Sequence, residues 1–233
     1  MLSTEDQKAL LIPIMPYHKL KIGQYIYRGK KRKLFKGEYI TSVSHEVDDL
    51  YYFYVEKGQL GVTFPKINGE GITLCYRNAG NAFPIEYGGI ASIGDYKMHW
   101  MATTDTIVYG FTQRQLFEIA QEDPEIFYEF IFVCHMIFGQ ISHRITCTSA
   151  PSSMDRIAFW IIKLCAVTTP DENGFYTIAT TITNQQLADF LFMHVTTCSR
   201  LFNTLQKDGI LKRTRKQIIV YHLDKLLDHI SKD

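Results

Sequence analysis

The 233-residue chain has almost no net charge, few cysteines and no metal-ligand motif. Its formal net charge at pH 7 is +1, with 25 Lys and Arg against 24 Asp and Glu. The cysteines include no C-x-x-C pair, and the histidines include no H-x-x-x-H or H-E-x-x-H pair. The five scattered cysteines are Cys75, Cys134, Cys147, Cys165 and Cys198. We therefore expect reduced, mostly buried thiols and no structural zinc site.

The sequence also shows no apolar run near the ~20 residues that a membrane span requires. Its first residues, MLSTEDQKALLIPIMP, place acids before a short apolar stretch and lack the basic start of a secretory signal. The chain is long enough for two domains. These features predict a folded protein of the cytoplasm.

Short segments rich in aromatic and β-branched residues alternate with glycine turns from about Tyr25 onward. Period-two alternation is clear at Leu60, Val62 and Phe64, and turn signals such as Asn68-Gly69 separate the segments. The predicted strands are Gly37–Thr41, Leu50–Glu56, Gln59–Phe64, Ile72–Arg77 and Thr106–Thr112. This pattern is typical of an antiparallel barrel or jelly roll.

A long helix is predicted after Asp123, which can cap it, with Pro124 at the first helical position. One apolar stripe follows heptad spacing, which is the pattern of a coiled-coil seam. The seam residues are Phe127, Ile131, Cys134, Phe138, Ile141 and Ile145. A second stripe, Ile126, Phe130, Val133 and Ile137, indicates another partner. We assign this second stripe to the β-roll and the seam to the same helix of a second chain; the alternative is one helix buried within a monomer.

The stretch from Thr183 to Leu211 predicts two short helices joined by a tight corner. Thr183 and Gln186 have the T-x-x-Q spacing of a capping box. Leu187, Ala188 and Leu191 share one face of the first helix. Cys198, Leu201, Phe202 and Leu205 point inward on the second, which leaves Thr196, Thr197, Ser199, Arg200 and Asn203 outside. Gly209 ends the second helix. This is the pattern of a helix-turn-helix, whose second helix enters the DNA major groove.

A basic run, Lys212-Arg213-Thr214-Arg215-Lys216, and a strand, Gln217–Tyr221, follow the helix pair. Residues 194–222 hold six Lys or Arg against one acid, a local charge of +5. That asymmetry favours contact with DNA phosphates and predicts a winged helix-turn-helix. Taken alone, the basic run also fits a solvated surface turn.

The corner carries a bulky residue, Phe192, where a small residue or glycine is common. We expect either a strained turn there or a ring buried against a neighbour such as Met193 or Trp160.

The order of the predicted helices and strands indicates an α+β chain with three parts. Residues 1–122 form an N-terminal antiparallel β-roll, 123–149 a central dimerisation helix, and 150–233 a winged helix-turn-helix domain. Together with Thr183-Asn-Gln185-Gln-Leu187-Ala188 and Ser199-Arg200-Leu201, this order resembles the Crp/Fnr family of bacterial transcription regulators. The segment His194–Arg200 is most similar to the branch that regulates organohalide respiration and senses chlorinated phenols.

The resemblance implies a homodimer on a palindromic double-stranded DNA site, and it allows a contact with RNA polymerase. Arg200 would contact DNA, since a bidentate fork to guanine is the commonest specific contact, although a phosphate-only contact is an equal alternative. Val195 could touch a thymine methyl. The implied DNA-binding residues are Thr183, Gln185, His194, Val195, Thr196, Thr197, Ser199, Arg200, Arg213, Arg215 and Lys216.

The resemblance also narrows the range of small molecules that could act as the effector. Cyclic-nucleotide binders of the family pair a glutamate near the sugar with an Arg-Ser or Arg-Thr on the phosphate. Glu86 matches, but Lys97-Met98 stands where Arg-Ser would be, and Lys does not supply the planar fork. Cyclic AMP is therefore disfavoured, as is an iron–sulfur cluster, whose cysteines are absent. Haem held by a histidine stays an alternative.

We expect a small organic effector, for which an aromatic anion suits the aromatic residues and the lone Lys97. The expected effector-binding residues are Glu86, Tyr87, Tyr96, Lys97 and Trp100 in the β-roll, and Cys134, Ile137 and Phe138 on the central helix. The alternative is that residues 87–100 serve only as strand and loop.

Two other functions compete with that of an effector-responsive regulator. A cupin-like metal enzyme would use His45 and Glu46, which have no partner motif. A regulator acting through protein contacts alone would not read DNA. The sequence does not indicate activation or repression, nor the target genes.

Overall fold

The structure is a computed structural model that describes residues 19–40, 50–65, 71–84, 99–180 and 182–230. These residues divide into two units, one within 14–139 and the other within 140–233.

The N-terminal unit begins with a 3₁₀ helix, Lys21–Arg28. Its strands are β1 (Lys30–Leu34), β2 (Tyr39–Ile40), β3 (Leu50–Lys57), β4 (Gln59–Pro65), β5 (Gly71–Asn78), β6 (Ala82–Pro84), β7 (His99–Ala102) and β8 (Thr106–Thr112). They form two antiparallel four-stranded sheets, ordered β1-β8-β3-β6 and β2-β7-β4-β5. The predicted β-roll is therefore confirmed.

The core of this unit draws on both sheets. Phe53 and Val55 of β3 join Leu60 and Val62 of β4 in one cluster of buried side chains. The tight β3–β4 connection depends on Gly58, which has φ +88, and a Cβ there would lie 2.5 Å from the backbone oxygen of Asp105. A glycine is required because the left-handed region is costly for other residues.

Helix α1, Gln113–Glu122, was not predicted. Thr112 accepts a hydrogen bond from the backbone N–H of Gln115, and the Gln115 side chain accepts from the backbone N–H of Thr112. This capping box has the same T-x-x-Q spacing as residues 183–186, so the signal was present in the sequence. The strand β1 and the C-terminal helix were also missed.

Helix α2, Glu125–Thr148, is the predicted long helix. The Asp123 carboxylate accepts a hydrogen bond from the backbone N–H of Glu125 at 3.2 Å, which confirms the expected cap. Ile126 and Val133 of the second apolar stripe are buried, and the Phe130 ring lies 5.5 Å from that of Tyr52 on β3. This stripe therefore packs on the β-roll as expected.

By length and composition α2 could also cross a membrane, contrary to the expectation that no apolar run is long enough. One such helix is weak evidence for a membrane span, because the core helix of a soluble protein meets the same criterion. Its Glu129 carboxylate accepts from the backbone N–H groups of Lys21 and Ile22, and Arg144 donates to the backbone oxygen of Asp189. These charged side chains thus have partners within the protein.

The C-terminal unit contains α3 (Ser153–Ala166), β9 (Tyr176–Ala179), α4 (Asn184–Phe190), α5 (Val195–Lys207), β10 (Leu211–Arg213), β11 (Gln217–Val220) and α6 (Leu223–Ile230). The strands form one antiparallel sheet, ordered β10-β11-β9. Its core includes Trp160 of α3, Leu187 of α4 and Phe202 of α5. This is a helix-turn-helix followed by a wing.

Candidate functional site

The first helix of the pair begins as the sequence predicts. The Thr183 hydroxyl accepts from the backbone N–H of Gln186, and the Gln186 side chain accepts from the backbone N–H of Thr183 at 2.9 Å. Leu187 and Ala188 are fully buried. Gln185 is exposed and donates to the Asp189 carboxylate at 2.9 Å. The capping box thus fixes where α4 starts and which residues it exposes.

Helix α5 exposes the polar face expected of a recognition helix. Its buried side is formed by Cys198, Phe202 and Leu205. The other side carries His194, Thr196, Arg200 and Asn203 as exposed residues, with Val195, Thr197 and Ser199 partly buried. Hydrogen-bonding side chains on a protruding helix match the donors and acceptors on base edges.

Two contacts position this face. The His194 imidazole lies 2.8 Å from the Thr196 hydroxyl and caps the start of α5. The Asn184 amide donates to the Ser199 hydroxyl at 2.8 Å, which joins α4 to α5. Arg200 is exposed and makes no side-chain hydrogen bond or ion pair with the described residues, so its guanidinium is available to a ligand.

A groove separates the helix pair from the wing. Thr183, Ser199, Asn203 and Arg215 are among the residues that line a space of about 730 Å³ there. Arg215 and Lys216 are exposed in the turn between β10 and β11. The structure therefore brings the start of α4, the recognition helix and the basic turn to one surface.

Arg213 differs from its basic neighbours. Its guanidinium donates to the backbone oxygen of Ile182 at 2.9 Å and lies 4.2 Å from the Phe202 ring centre. Burial lowers its pKa from the ordinary arginine value. The wing is thus anchored by Arg213, and a DNA contact by this residue stays a prediction.

The corner between α4 and α5 has a left-handed residue, Phe192, with φ +50. The expected strained turn is therefore present. Its ring is 46% exposed and lies 4.1 Å from the guanidinium carbon of Arg144, rather than being buried against Met193 or Trp160. Arg156 donates to the backbone oxygens of Leu191 and Phe192 at 3.3 and 3.0 Å. Two arginines from other helices thus hold the corner, and no local sequence pattern predicts these contacts.

The heptad seam of α2 is exposed to solvent in the single chain. Phe127, Ile131, Phe138, Ile141 and Ile145 are 55%, 48%, 72%, 41% and 64% exposed, respectively. The sixth member, Cys134, is partly buried. An apolar stripe of this length on a helix surface indicates a protein partner.

Most of the expected effector residues of the β-roll, Glu86, Tyr87, Tyr96 and Lys97, lie outside the described residues, as do His45 and Glu46. Trp100 is described and lies buried on β7, with its ring 3.9 Å from that of Phe83. On α2, Ile137 is partly buried and Phe138 exposed. The structure therefore does not bring Phe138 into the interior of the N-terminal unit.

Sequence reasoning missed two buried polar side chains of the N-terminal unit, Tyr52 and Arg77, which accompany the predicted Trp100. The Tyr52 hydroxyl and the Trp100 indole N–H are buried and have no hydrogen-bond partner among the described residues. The Arg77 guanidinium is fully buried, donates to the Tyr76 backbone oxygen at 3.0 Å and lies 5.9 Å from the Trp100 ring. Burial raises the pKa of Tyr52, and the nearby Glu129 carboxylate raises it further. Buried polar groups normally have partners, so the Tyr52 hydroxyl and the Trp100 indole N–H are candidates for contacting a polar ligand.

The cysteines follow the sequence expectation. Cys75, Cys147, Cys165 and Cys198 are buried. Burial raises the pKa values of Cys147 and Cys165 to about 12, which makes them poor nucleophiles. Within the described ranges no group of three or more His, Cys, Asp or Glu side chains could hold a metal ion.

The fold is that of a winged helix-turn-helix domain preceded in the chain by an N-terminal β-roll. Residues 155–229 match the family model described as the Crp-like helix-turn-helix domain. Residues 155–229 thus form a Crp-like helix-turn-helix domain. No curated protein sequence matches the chain.

Solved structures of 17 to 18% identity share this fold. A variant of CprK in complex with OCPA has a TM-score of 0.75 at 18% identity, covering 95% of this chain and 98% of that chain. A CooA mutant from Carboxydothermus hydrogenoformans has a TM-score of 0.70 at 17% identity, covering 92% and 96%. FixK2 from Bradyrhizobium japonicum has a TM-score of 0.53 at 18% identity, covering 88% and 98%.

Proposed function

We propose that the protein is a homodimeric transcription regulator that reads DNA through α5 and is controlled by a small molecule bound in its β-roll. The observation that carries this proposal is the exposed polar face of α5, with Arg200 available beside the start of α4 and the basic wing. In this function residues 1–122 sense the effector, 123–149 form the dimer and 150–233 bind DNA in the cytoplasm. RNA polymerase is a further proposed partner, and no catalytic role is proposed.

Dimer formation is supported by the exposed seam of α2. Two recognition helices related by a two-fold axis would read two half-sites about one helical turn apart. The seam supplies such an axis because identical helices can pair along their apolar stripes. The target would therefore be palindromic.

The effector is proposed to be a small aromatic anion. The buried hydroxyl of Tyr52 and indole N–H of Trp100 could donate hydrogen bonds to it, and the buried Arg77 supplies positive charge in the same unit. The Phe130 ring of α2 lies 5.5 Å from the Tyr52 ring, which would place a wall of the site on α2. CprK, which shares the fold, is described as complexed with OCPA. Cyclic AMP and an iron–sulfur cluster remain disfavoured.

Sequence-specific DNA binding is tested by selecting, from a pool of duplexes with a randomised centre, those that the protein binds. We expect enrichment of a two-fold symmetric sequence. On that sequence Arg200→Lys should lose about 1–3 kcal/mol of discrimination at one base pair, because lysine keeps the charge but not the bidentate fork. Lys225→Ala on α6 is the control and should bind normally. Binding without any enriched sequence, unchanged by Arg200→Ala, would exclude this function.

The effector is identified by a thermal-shift screen of cyclic nucleotides, haem and substituted phenols. A compound that binds only the folded state raises the unfolding midpoint by mass action. We expect phenols to raise it and cyclic nucleotides to leave it unchanged. A shift with haem alone would favour the haem-responsive alternative.

A further inference from the structure

Asn203 is an exposed residue of α5 that the family resemblance does not assign to DNA. It lies three positions after Arg200, and residues at this spacing are neighbours on a helix surface. Asn203 also lines the groove between the helix pair and the wing, together with Thr183 and Arg215. The residue thus belongs to the surface that the proposed function presents to DNA.

Helices α4 and α5 carry five carboxamide side chains, and four of them are hydrogen-bonded within the protein. Asn203 is the fifth, and its side chain makes no hydrogen bond with the residues that the structure describes. Its carboxamide therefore keeps an acceptor oxygen and two N–H donors for a ligand. The four bonded side chains are Asn184 with the Ser199 hydroxyl, Gln185 with the Asp189 carboxylate, Gln186 with the Thr183 backbone N–H, and Gln206 with the Arg213 backbone N–H.

The hydroxyl groups on the same face of α5 are less able to select a base. The Thr196 hydroxyl lies 2.8 Å from the His194 imidazole. The Thr204 hydroxyl donates to the backbone oxygen of Arg200 at 3.2 Å, which uses its single donor. A hydroxyl can also pair with several different base atoms, so its contact discriminates weakly between bases.

The remaining side chains of α5 restrict which bases the helix can distinguish. Residues 195–207 include no Asp or Glu, so α5 has no carboxylate to accept from the N4 amino group of cytosine. Arg200 and Lys207 can pair with guanine, whereas a carboxamide pairs with adenine. Asn203 therefore supplies the adenine-reading group of this helix.

We infer that Asn203 selects an adenine in each half-site, with its Nδ2 donating to N7 of the base and its Oδ1 accepting from the N6 amino group. This inference rests on the proposed function, because the contact forms only if α5 enters the major groove. A good bidentate pair of this kind discriminates against the wrong base by about 5- to 150-fold. The identity of one A·T pair in the half-site thus depends on Asn203.

The test starts from the duplex that the full-length wild type selects. Each base pair of one half-site is replaced in turn by the other three base pairs, and the affinity of each duplex is divided by that of the selected one. This ratio removes any loss that is the same for all sequences. Asn203→Ala and Asn203→Asp are compared with the wild type. The matched controls are Asn173→Ala and Asn173→Asp, at an exposed asparagine in the turn before β9.

The wild type should prefer adenine by about 5- to 150-fold at one position of the half-site. Asn203→Ala should lose the preference at that position and keep the preferences elsewhere. Asn203→Asp should prefer cytosine there, because a carboxylate accepts from the N4 amino group. Both Asn173 variants should keep every preference of the wild type.

Unchanged affinity ratios in both Asn203 variants would overturn the inference. An equal loss of affinity for every duplex would overturn it as well, because Asn203 would then contact the phosphate backbone and not a base. In both cases the wild type still selects a site, so the proposed function stands. If the wild type selects no sequence, the proposed function fails and the inference fails with it.

Discussion

The guanidinium carbon of Arg144 lies 4.1 Å from the centre of the Phe192 ring, which joins α2 to the corner between α4 and α5. Arg144 is 5% exposed, donates to the Asp189 backbone oxygen at 2.5 Å and also lies 5.8 Å from the Phe190 ring. One side chain therefore contacts both the end of α4 and the residue that starts the turn. Arg144 therefore helps to hold the corner that precedes α5.

Replacing Arg144 by methionine should lower the free energy of unfolding by about 2–3 kcal/mol, because a charged hydrogen bond and a cation–π contact are lost. A double-mutant cycle with Phe192→Leu isolates the ring contact, for which we expect a coupling of about 1 kcal/mol. Urea denaturation of the wild type, the two single variants and the double variant, all full-length, measures this coupling free energy. A coupling near zero would mean that the ring and the guanidinium are only neighbours.

The backbone at Phe192 makes a separate prediction. At φ +50 glycine is favoured, so Phe192→Gly should be more stable than Phe192→Ala by about 1 kcal/mol. The control is Phe117, which is 63% exposed within α1. There the order should reverse, with glycine about 1 kcal/mol less stable than alanine. Thermal unfolding midpoints of the four variants measure these differences. The same order of glycine and alanine stability at positions 192 and 117 would contradict a strained corner.

Much of the fold could be predicted because strong local signals agree with the tertiary structure. The capping box at Thr183, the stop at Gly209 and the strand Thr106–Thr112 are found where the pattern indicates. The strand β1 was missed because four consecutive basic residues show no apolar alternation. Its strand conformation depends on pairing with β8, which is a long-range effect.

The site could be predicted only in part for a similar reason. The exposed face of α5 follows from helical periodicity. The contacts of Arg144, Arg156 and Arg213 join residues 31 to 45 positions apart in the sequence. Hydrophobic periodicity contains no information on pairs so far apart in the sequence. An arginine in a helix is also usually assigned to the surface.

Tyr52 provides a prediction for the proposed effector site. Tyr52→Phe removes a buried hydroxyl without a hydrogen-bond partner among the described residues, so stability should be unchanged or rise by up to about 1 kcal/mol. The thermal shift caused by the phenol found in the screen should be lost. Tyr128→Phe, at a residue 70% exposed on α2, serves as the control. An unchanged phenol shift in Tyr52→Phe would remove Tyr52 from the site.

The seam of α2 predicts the effect of a single charge. Phe138 is 72% exposed, so Phe138→Glu should fold normally as a monomer but place a carboxylate in the dimer interface. The mass from light scattering should halve. DNA affinity should fall about 100-fold or more, because a monomer contacts only one of the two half-sites. Tyr128→Glu has similar exposure but lies one position off the seam, so its effect should be smaller. A dimeric mass for Phe138→Glu would assign the seam to another role.

His143 makes stability depend on pH. Burial, with a further contribution from Lys163, lowers the pKa of its imidazole from 6.5 to about 4, and its Nε2 lies 3.3 Å from the Cys147 sulfur. The Phe190 ring faces it at 6.0 Å, and no carboxylate contributes to the shift.

Because the unfolded chain binds a proton at His143 more readily than the folded chain, its stabilising contribution is present above pH 6.5 and is lost as the pH falls toward 4. Between pH 7 and pH 5 the free energy of unfolding should fall by about 2 kcal/mol from this group. Urea denaturation at both pH values measures the change, and His143→Gln should abolish most of it. His222→Gln, at an exposed residue, is the control. An undiminished pH dependence in His143→Gln would show that another group titrates.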